Sequence, residues 1–155
     1  MPPTAFEPHD HSSCIATGIA TVETHCAENK LQLTPVRRRV MEILLTEHRA
    51  LGAYEILDCL RSEGLGSQPP VAYRALDFLV TNGFAHKIER LNAFAACMHP
   101  GESHAPAFLI CKSCDNVVET TCAPVLAAAA AGADFKIERT VIEALGLCPN
   151  CKTDH

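Results

Sequence analysis

Two CxxC pairs carry most of the recognisable chemistry in this 155-residue chain: Cys111-Lys-Ser-Cys114 and Cys148-Pro-Asn-Cys151. Each pair sets two thiols at the ends of a tight turn, where both sulfurs can converge on one point. Four thiolates from two such turns form a closed tetrahedral shell, which suits Zn²⁺ and leaves no open position for a substrate. The gap between the pairs exceeds that of a compact zinc ribbon, so a small subdomain must lie between them. Two surface disulfides or a dithiol redox centre are the competing readings, and a duplicated turn is far more specific for metal than a single CxxC. Nine cysteines is an odd number, and no positively charged leader precedes an apolar segment. Reduced, metal-binding thiols and a cytoplasmic location are therefore expected.

Composition bounds the remainder. The chain is 48% hydrophobic and 20% charged, ordinary for a soluble fold of one or two small domains. The longest apolar stretch, Ala123 to Ala133, is too short to span a bilayer, so no membrane partner is expected. A net charge of −5 argues against nucleic acid as a single number, but its distribution reverses that reading. From Lys30 to Arg90 there are nine Lys/Arg against seven Asp/Glu, and elsewhere four against eleven. A mildly basic first part joined to an acidic, cysteine-rich second part suggests two jobs.

The elements that must position these residues follow from periodicity. Residues 1–13 carry three prolines and no period, which reads as a flexible arm. His9, His11 and Cys14 could bind metal there, although soft ligands on such an arm are more often incidental. Ile15–Leu31 shows a helical stripe, and Thr34-Pro35 is a capping signal that opens a helix over Val36–Thr46. Ala53–Arg61 repeats the pattern, and Pro69-Pro70 opens Val71–Val80, which stops at Asn82-Gly83. The period then changes to two in Phe84–Glu89 and Ala93–Met98, a hairpin around Arg90-Leu91-Asn92. This order predicts a winged helix-turn-helix DNA-binding domain over 14–98, with Val71–Val80 as the reading helix.

Pro100-Gly101 marks a hinge at 99–104. Residues 105–155 then read as strand (Ala107–Cys111), CxxC turn, strand (Asn116–Glu119), alanine-rich helix (Pro124–Ala131), strand (Phe135–Ala144) and CxxC turn. The fold class is α+β: an N-terminal winged helix-turn-helix followed by a small α/β dimerisation domain with a four-cysteine zinc site. Phe108, Ile110, Ile137 and Val141 are apolar residues on a half too small to cover them, which predicts a homodimer and a palindromic double-stranded DNA target. Arg74 can bond guanine O6 and N7 in bidentate fashion, with Tyr73 beside it; a salt bridge to Asp77 is the competing role. Tyr54 could reach a phosphate or a thymine methyl, and the run Arg37, Arg38, Arg39 suits phosphate contact. Asp58 and Arg61 lie three apart on one helix and can pair internally. Cys26, Cys59 and Cys122 fall on helices, where core or semi-core packing is the default.

The stretches Leu33-Thr-Pro35 with Arg37, Ala53-Tyr-Glu-Ile-Leu57, Tyr73-Arg-Ala-Leu-Asp-Phe-Leu79 and Gly83-Phe-Ala-His-Lys-Ile-Glu89 resemble the ferric uptake regulator family, most closely its zinc-sensing branch. Phe108-Leu-Ile-Cys-Lys-Ser-Cys114 and Val141-Ile-Glu-Ala-Leu-Gly-Leu-Cys148 extend the resemblance, which covers Leu31 to Cys151. It departs at the reading helix, where Pro70-Val71-Ala72-Tyr73-Arg74 lacks the family's usual threonine. It departs again at Cys97-Met-His-Pro-Gly-Glu-Ser-His104, where iron-sensing members carry a histidine cluster. The resemblance implies a homodimeric, metal-gated DNA-binding regulator, not an enzyme, that represses zinc-uptake genes when zinc is replete. It also implies a second, regulatory zinc on His86, Cys97, His104 and Glu119, hence two Zn²⁺ per chain, with His99 the chief competitor for a ligand place. Asp58 and Arg61 would join neighbouring dimers on one operator. An iron- or peroxide-responsive regulator and, less plainly, a zinc metalloenzyme are the alternatives. A catalytic zinc keeps an open water position, which four filled ligands do not offer.

Overall fold

A computed structural model describes residues 11–47, 49–66, 68–97, 106–121, 123–138 and 140–153. Helix α1 (His11–Glu28) lies against α2 (Pro35–Thr46), and α3 (Ala53–Ser62) and α4 (Pro69–Thr81) complete a four-helix first half. The starts of these helices are written in local chemistry. Thr34 Oγ1 accepts the Arg37 N–H at 3.3 Å, with Pro35 at the first helical position of α2. The Glu55 carboxylate accepts the Gly52 N–H at 2.9 Å at the start of α3. Gly83, at φ +76, ends α4 where a side chain would be strained. Val22, Met41, Ile56, Leu60, Leu79 and Phe84 are fully buried and join the helices into one core. Gly18 lets α1 approach α2 closely, since a Cβ there would lie 2.8 Å from Leu45 Cδ1.

The wing follows. β1 (Ala85–Ile88) pairs antiparallel with β2 (Ala93–Ala96), Ala85 facing Ala96 and Ile88 facing Ala93. A 3₁₀ turn over Glu89–Leu91, then Asn92 at φ 48, closes the hairpin. The link between α2 and α3 acts as a strap: Leu51 and Phe94 exchange both backbone hydrogen bonds at 2.8 Å, and Arg49 forms an isolated antiparallel bridge with Asn116.

The second half holds a three-stranded sheet of order β4-β3-β5, with β3 (Pro106–Cys111) central. β4 (Val117–Thr121) runs antiparallel to it, and β5 (Glu143–Gly146) runs parallel after α5 (Ala123–Gly132). A short α6 (Pro149–Lys152) ends the described chain. The two halves share a small apolar core of Ala50, Ile88 and Ala93 from the first and Phe108 and Ile110 from the second.

Four expectations need correction. The strand expected over Phe135–Ala144 is only Glu143–Gly146; β3 begins at Pro106, so in this register nothing before Val141 has a β3 residue opposite it, and Phe135 is 67% exposed. The second CxxC is a helical turn opened by Pro149, not a bare turn. Helix α1 begins at His11, so it takes in His11 to Cys14, while His9 and the rest of residues 1–10 lie outside the described residues. Cys59 sits on the outer face of α3 and is exposed, whereas Cys26 is buried as expected; Cys122 is outside the described residues. No helix among the described residues is long and apolar enough to cross a membrane.

Candidate metal centres and nucleic-acid interface

Cys111 ends β3, Cys114 lies one turn on, Cys148 precedes α6 and Cys151 sits within it. The parallel pairing of β5 with β3 carries the second CxxC to the end of the strand that carries the first. All four sulfurs fall within 4.8 Å of one another. Asp115, at φ 61, lets the first turn double back. All four cysteines are free thiols, as a four-thiolate metal site requires. The Cys148 N–H donates to Cys111 Sγ at 3.4 Å and holds that thiol down to about 6. The hydrogen bond with the Cys148 thiol pushes Cys151 up to about 12. Cys111 is ready to ionise while Cys114 and Cys151 resist the accumulation of negative charge. A dication resolves that conflict, and the four-thiolate donor set fits tetrahedral Zn²⁺.

The second cluster joins the halves. Cys97 donates its N–H to Phe84 O, so it lies opposite Phe84; strand alternation then sets His86, two residues on, on the same face. Glu119 arrives from β4, where it faces Phe108 across the sheet. Its Oε1 is 3.5 Å from His86 Nε2 and 3.8 Å from Cys97 Sγ, and the three ligand atoms lie within 4.8 Å of one another. The Glu119 side chain is only 3% exposed and Cys97 only 2%. An imidazole, a thiol and a carboxylate converging in a near-dry site suit a cation of borderline softness. His104, expected as fourth ligand, and its competitor His99 lie outside the described residues.

On the outer face of the helices Tyr54 is 65% exposed and Tyr73 48%. Arg74 is exposed beside Tyr73 and, among the described residues, forms no ion pair, so the competing bridge to Asp77 is absent. The basic run behaves otherwise. The Arg37 guanidinium stacks 3.9 Å over the Phe78 ring and donates to Gln32 O at 2.7 Å. Arg38 pairs with Glu23 and with Glu42, the latter at 3.4 Å; Arg39 pairs with Glu63 at 2.6 Å and Glu42 at 3.1 Å. All three arginines are therefore engaged within the fold, and Glu42, four residues after Arg38, was the sequence signal for it. Asp58 and Arg61 pair at 3.7 Å. Sequence reasoning placed Phe108 and Ile110 on an uncovered dimer face, whereas both are buried between the halves against Ile88 and Ala93; it did not single out Glu143. The Phe108 ring lies 5.6 Å from that of His86, and a cleft of about 780 Å³ lined by Tyr54, Tyr73, Asp77, Lys87 and Glu143 separates α3 and α4 from β5.

No family model matches the chain. The Zinc uptake regulation protein of Escherichia coli K12 is 38% identical over 138 residues, covering 86% of this chain and 80% of that protein. A solved zinc uptake regulator complexed with zinc and DNA is 35% identical, covers 90% of this chain and 96% of that one, and superposes with a TM-score of 0.84. The protein XcZur resembles the chain in two forms. Its holo structure, 38% identical over 88% of this chain and 98% of that one, gives a TM-score of 0.80. Its apo structure, 39% identical over 90% and 99%, gives only 0.53.

Proposed function

The chain belongs to the zinc uptake regulators, a branch of the ferric uptake regulator family, and from that premise we propose that it is a zinc-responsive, sequence-specific DNA-binding regulator that represses zinc-uptake genes when zinc is replete. One observation carries the reading. At nearly equal identity the fold follows the holo form of a relative at 0.80 and its apo form at 0.53, and His86, Cys97 and Glu119 meet between the two halves. A whole-chain superposition is sensitive to how two halves are oriented. That difference therefore supports reading the present arrangement as the metal-competent one.

Two zinc ions per chain would divide the work. The Cys111/Cys114/Cys148/Cys151 site would be structural: these four cysteines would hold a metal between the end of β3 and α6, and its binding free energy would add to folding. His86, Cys97 and Glu119, with His104 as fourth ligand, would hold an exchangeable zinc. Bound there, the ion supplies charge that draws a thiolate, a carboxylate and imidazole into one shell. The ligands come from the wing and from β4, so that shell forms only when the halves are closed, and zinc shifts the population toward closure. With His104 as the fourth ligand the shell would leave no open position for a substrate, which argues against the metalloenzyme alternative.

The remaining roles follow. The division into an arm ahead of α1, a DNA-binding domain from α1 to residue 98, a hinge (99–104) and a dimerisation domain (105–155) gives each half one task. Leu109, Val125, Phe135 and Val141 are exposed apolar residues on the second half, and a two-fold homodimer would bury them. It would present two α4 helices about one DNA turn apart to a palindromic operator. Arg74 would read a base, with Tyr73 and Tyr54 beside it; Arg37 and Arg38 would act on DNA chiefly by fixing α2, given their internal partners. Asp58 and Arg61 would have to exchange their mutual pair to join neighbouring dimers on DNA. The work is that of a cytoplasmic protein.

The test is a DNA-binding titration on uptake-gene promoters at buffered free zinc. Wild-type affinity should rise with zinc by roughly 5- to 150-fold, the usual range of such coupling. Cys97→Ser should remain a folded dimer holding one zinc per chain and lose the rise. A Cys97→Ser protein that responds as the wild type does would place sensing elsewhere. A response to Fe²⁺ or peroxide in place of zinc would favour the iron or peroxide alternative.

A further inference from the structure

Three residues stand in one row across the second sheet, at right angles to its strands. Phe108 on β3 faces Glu119 on β4 on one side and Glu143 on β5 on the other. Directly paired residues project to the same face of a sheet, so this row presents carboxylate, phenyl and carboxylate side by side. Each of the three touches the wing. Glu119 reaches His86 and Cys97. Phe108 packs with Ile88 and Ala93 and lies against the His86 ring. Glu143 accepts two consecutive backbone N–H groups at the wing tip: Glu89 N to Oε1 at 2.6 Å and Arg90 N to Oε2 at 3.1 Å.

The two carboxylates thus hold opposite ends of one hairpin strand pair. Glu119 meets the end where β1 begins and β2 finishes, the end that carries His86 and Cys97. Glu143 meets the 3₁₀ turn over Glu89–Leu91, where β1 stops. A 3₁₀ turn leaves its first N–H groups without partners inside the turn, and a carboxylate that takes both is a charge-assisted, two-point attachment. A hairpin held by Phe108 and by the strap at Phe94, but free at its turn, could still tilt about those contacts. Held at its tip, it cannot swing His86 and Cys97 away from Glu119.

We propose that Glu143 is a positioning residue for the zinc response: it pins the wing tip to β5 without metal and so pre-sets the spacing of His86 and Cys97 against Glu119. The proposal rests on the metal-gated reading given above. It predicts that part of the closure is built before zinc arrives, and that its loss is felt as weaker second-site zinc affinity. DNA affinity at saturating zinc stays the same, because the metal shell then imposes the closed form.

The test uses the full-length dimer with Glu143→Ala and Glu143→Gln. Three quantities are measured: amide hydrogen exchange at Glu89 and Arg90 in zinc-depleted protein, second-site zinc affinity by competition with a chelating dye, and operator binding across buffered zinc. In Glu143→Ala the two amides should exchange about tenfold faster and second-site zinc should bind about 5- to 10-fold more weakly, a tenfold change being one step of 1.4 kcal/mol. The four-cysteine zinc and saturating-zinc operator affinity should match wild type. Glu143→Gln keeps one carbonyl oxygen as acceptor and should fall between the two. Faster amide exchange with unchanged second-site affinity would overturn the proposal, leaving Glu143 a local cap. Loss of the four-cysteine zinc or of the dimer in both variants would overturn it too, by making the residue structural. A wild-type protein without any zinc response overturns the functional reading itself, an outcome seen before any variant is compared.

Discussion

Phe108→Ala separates closure of the two halves from stability of either one. The ring is 5% exposed and packs with Ala50, Ile88 and Ala93 of the first half as well as Ile110 beside it. Truncating a buried Phe costs about 3–5 kcal/mol in a rigid core, cavity included. Here the cost divides. Wherever the halves part, the wing-facing side of the ring already meets water, so only that share bears on the opening equilibrium. Transfer of a Phe side chain from water is worth about 1.5–3 kcal/mol, which bounds the share. The closed-to-open ratio should then fall by roughly 10- to 150-fold, and the zinc needed for half-maximal operator binding should rise by up to that factor. Leu60→Ala is the control: Leu60 is fully buried inside the helical core and touches neither cluster. It should cost about 2–5 kcal/mol of unfolding free energy and leave zinc affinity alone. The assay pairs denaturant unfolding with zinc titration of operator binding for both variants. If Phe108→Ala lost several kcal/mol of stability with its zinc midpoint unmoved, the ring would belong to the second half alone and the reasoning would fail.

Cys148→Ser should lose one zinc per chain by metal analysis and weaken the dimer in sedimentation, since one thiolate fewer leaves the shell open; retention of full zinc content would refute the site. Arg74→Ala should cost about 1–3 kcal/mol of specific binding and relax one base position per half-site, whereas Arg38→Ala should leave DNA affinity nearly unchanged because Glu23 and Glu42 already hold that side chain. A general, sequence-independent loss in both, with a shallower salt slope, would make them phosphate contacts. The Gly52 N–H and then Arg49 hold the Glu55 carboxyl below its ordinary value. A depressed carboxylate stabilises the fold above its unfolded pKa and loses that stabilisation as pH falls through the folded one. Glu55→Gln should therefore cost up to about 1 kcal/mol at pH 7, discounted for exposure, and the cost should fade as pH falls through the depressed pKa; a gap that persists in acid would mean the side chain acts by packing.

Local chemistry made the first half legible. Thr34-Pro35, Pro69-Pro70 and Asn82-Gly83 act within a few residues of themselves, so the helices they bound could be placed to within a residue or two. The CxxC pairs were equally plain as a four-sulfur set, although the helical turn that Pro149 opens at the second one was read as a bare turn. What escaped was set by partners distant in sequence. The last strand is Glu143–Gly146 because of where β3 begins in their shared register, a limit that nothing in 135–142 expresses. Arg37, Arg38 and Arg39 looked like a phosphate grip, and only the fold brings Glu23, Glu63 and Phe78 to them. His86, Cys97 and Glu119 could be grouped by resemblance, yet the reason they meet is the pairing of Phe108 with Glu119 across two strands.

The strap from Arg49 to Leu51 has a hereditary consequence. It joins the wing to the second sheet through main-chain pairing, at Phe94 on one side and Asn116 on the other, and it runs directly into the start of α3 that carries Tyr54. Peptide groups are common to all residues but proline's missing N–H, so most single-base changes in these codons leave that pairing in place. The side-chain parts of the device can drift, be retuned or be lost one at a time. The seam between them is nearly immune to point mutation, and a lineage could exchange the metal that the protein answers to while keeping the linkage that carries the answer to DNA.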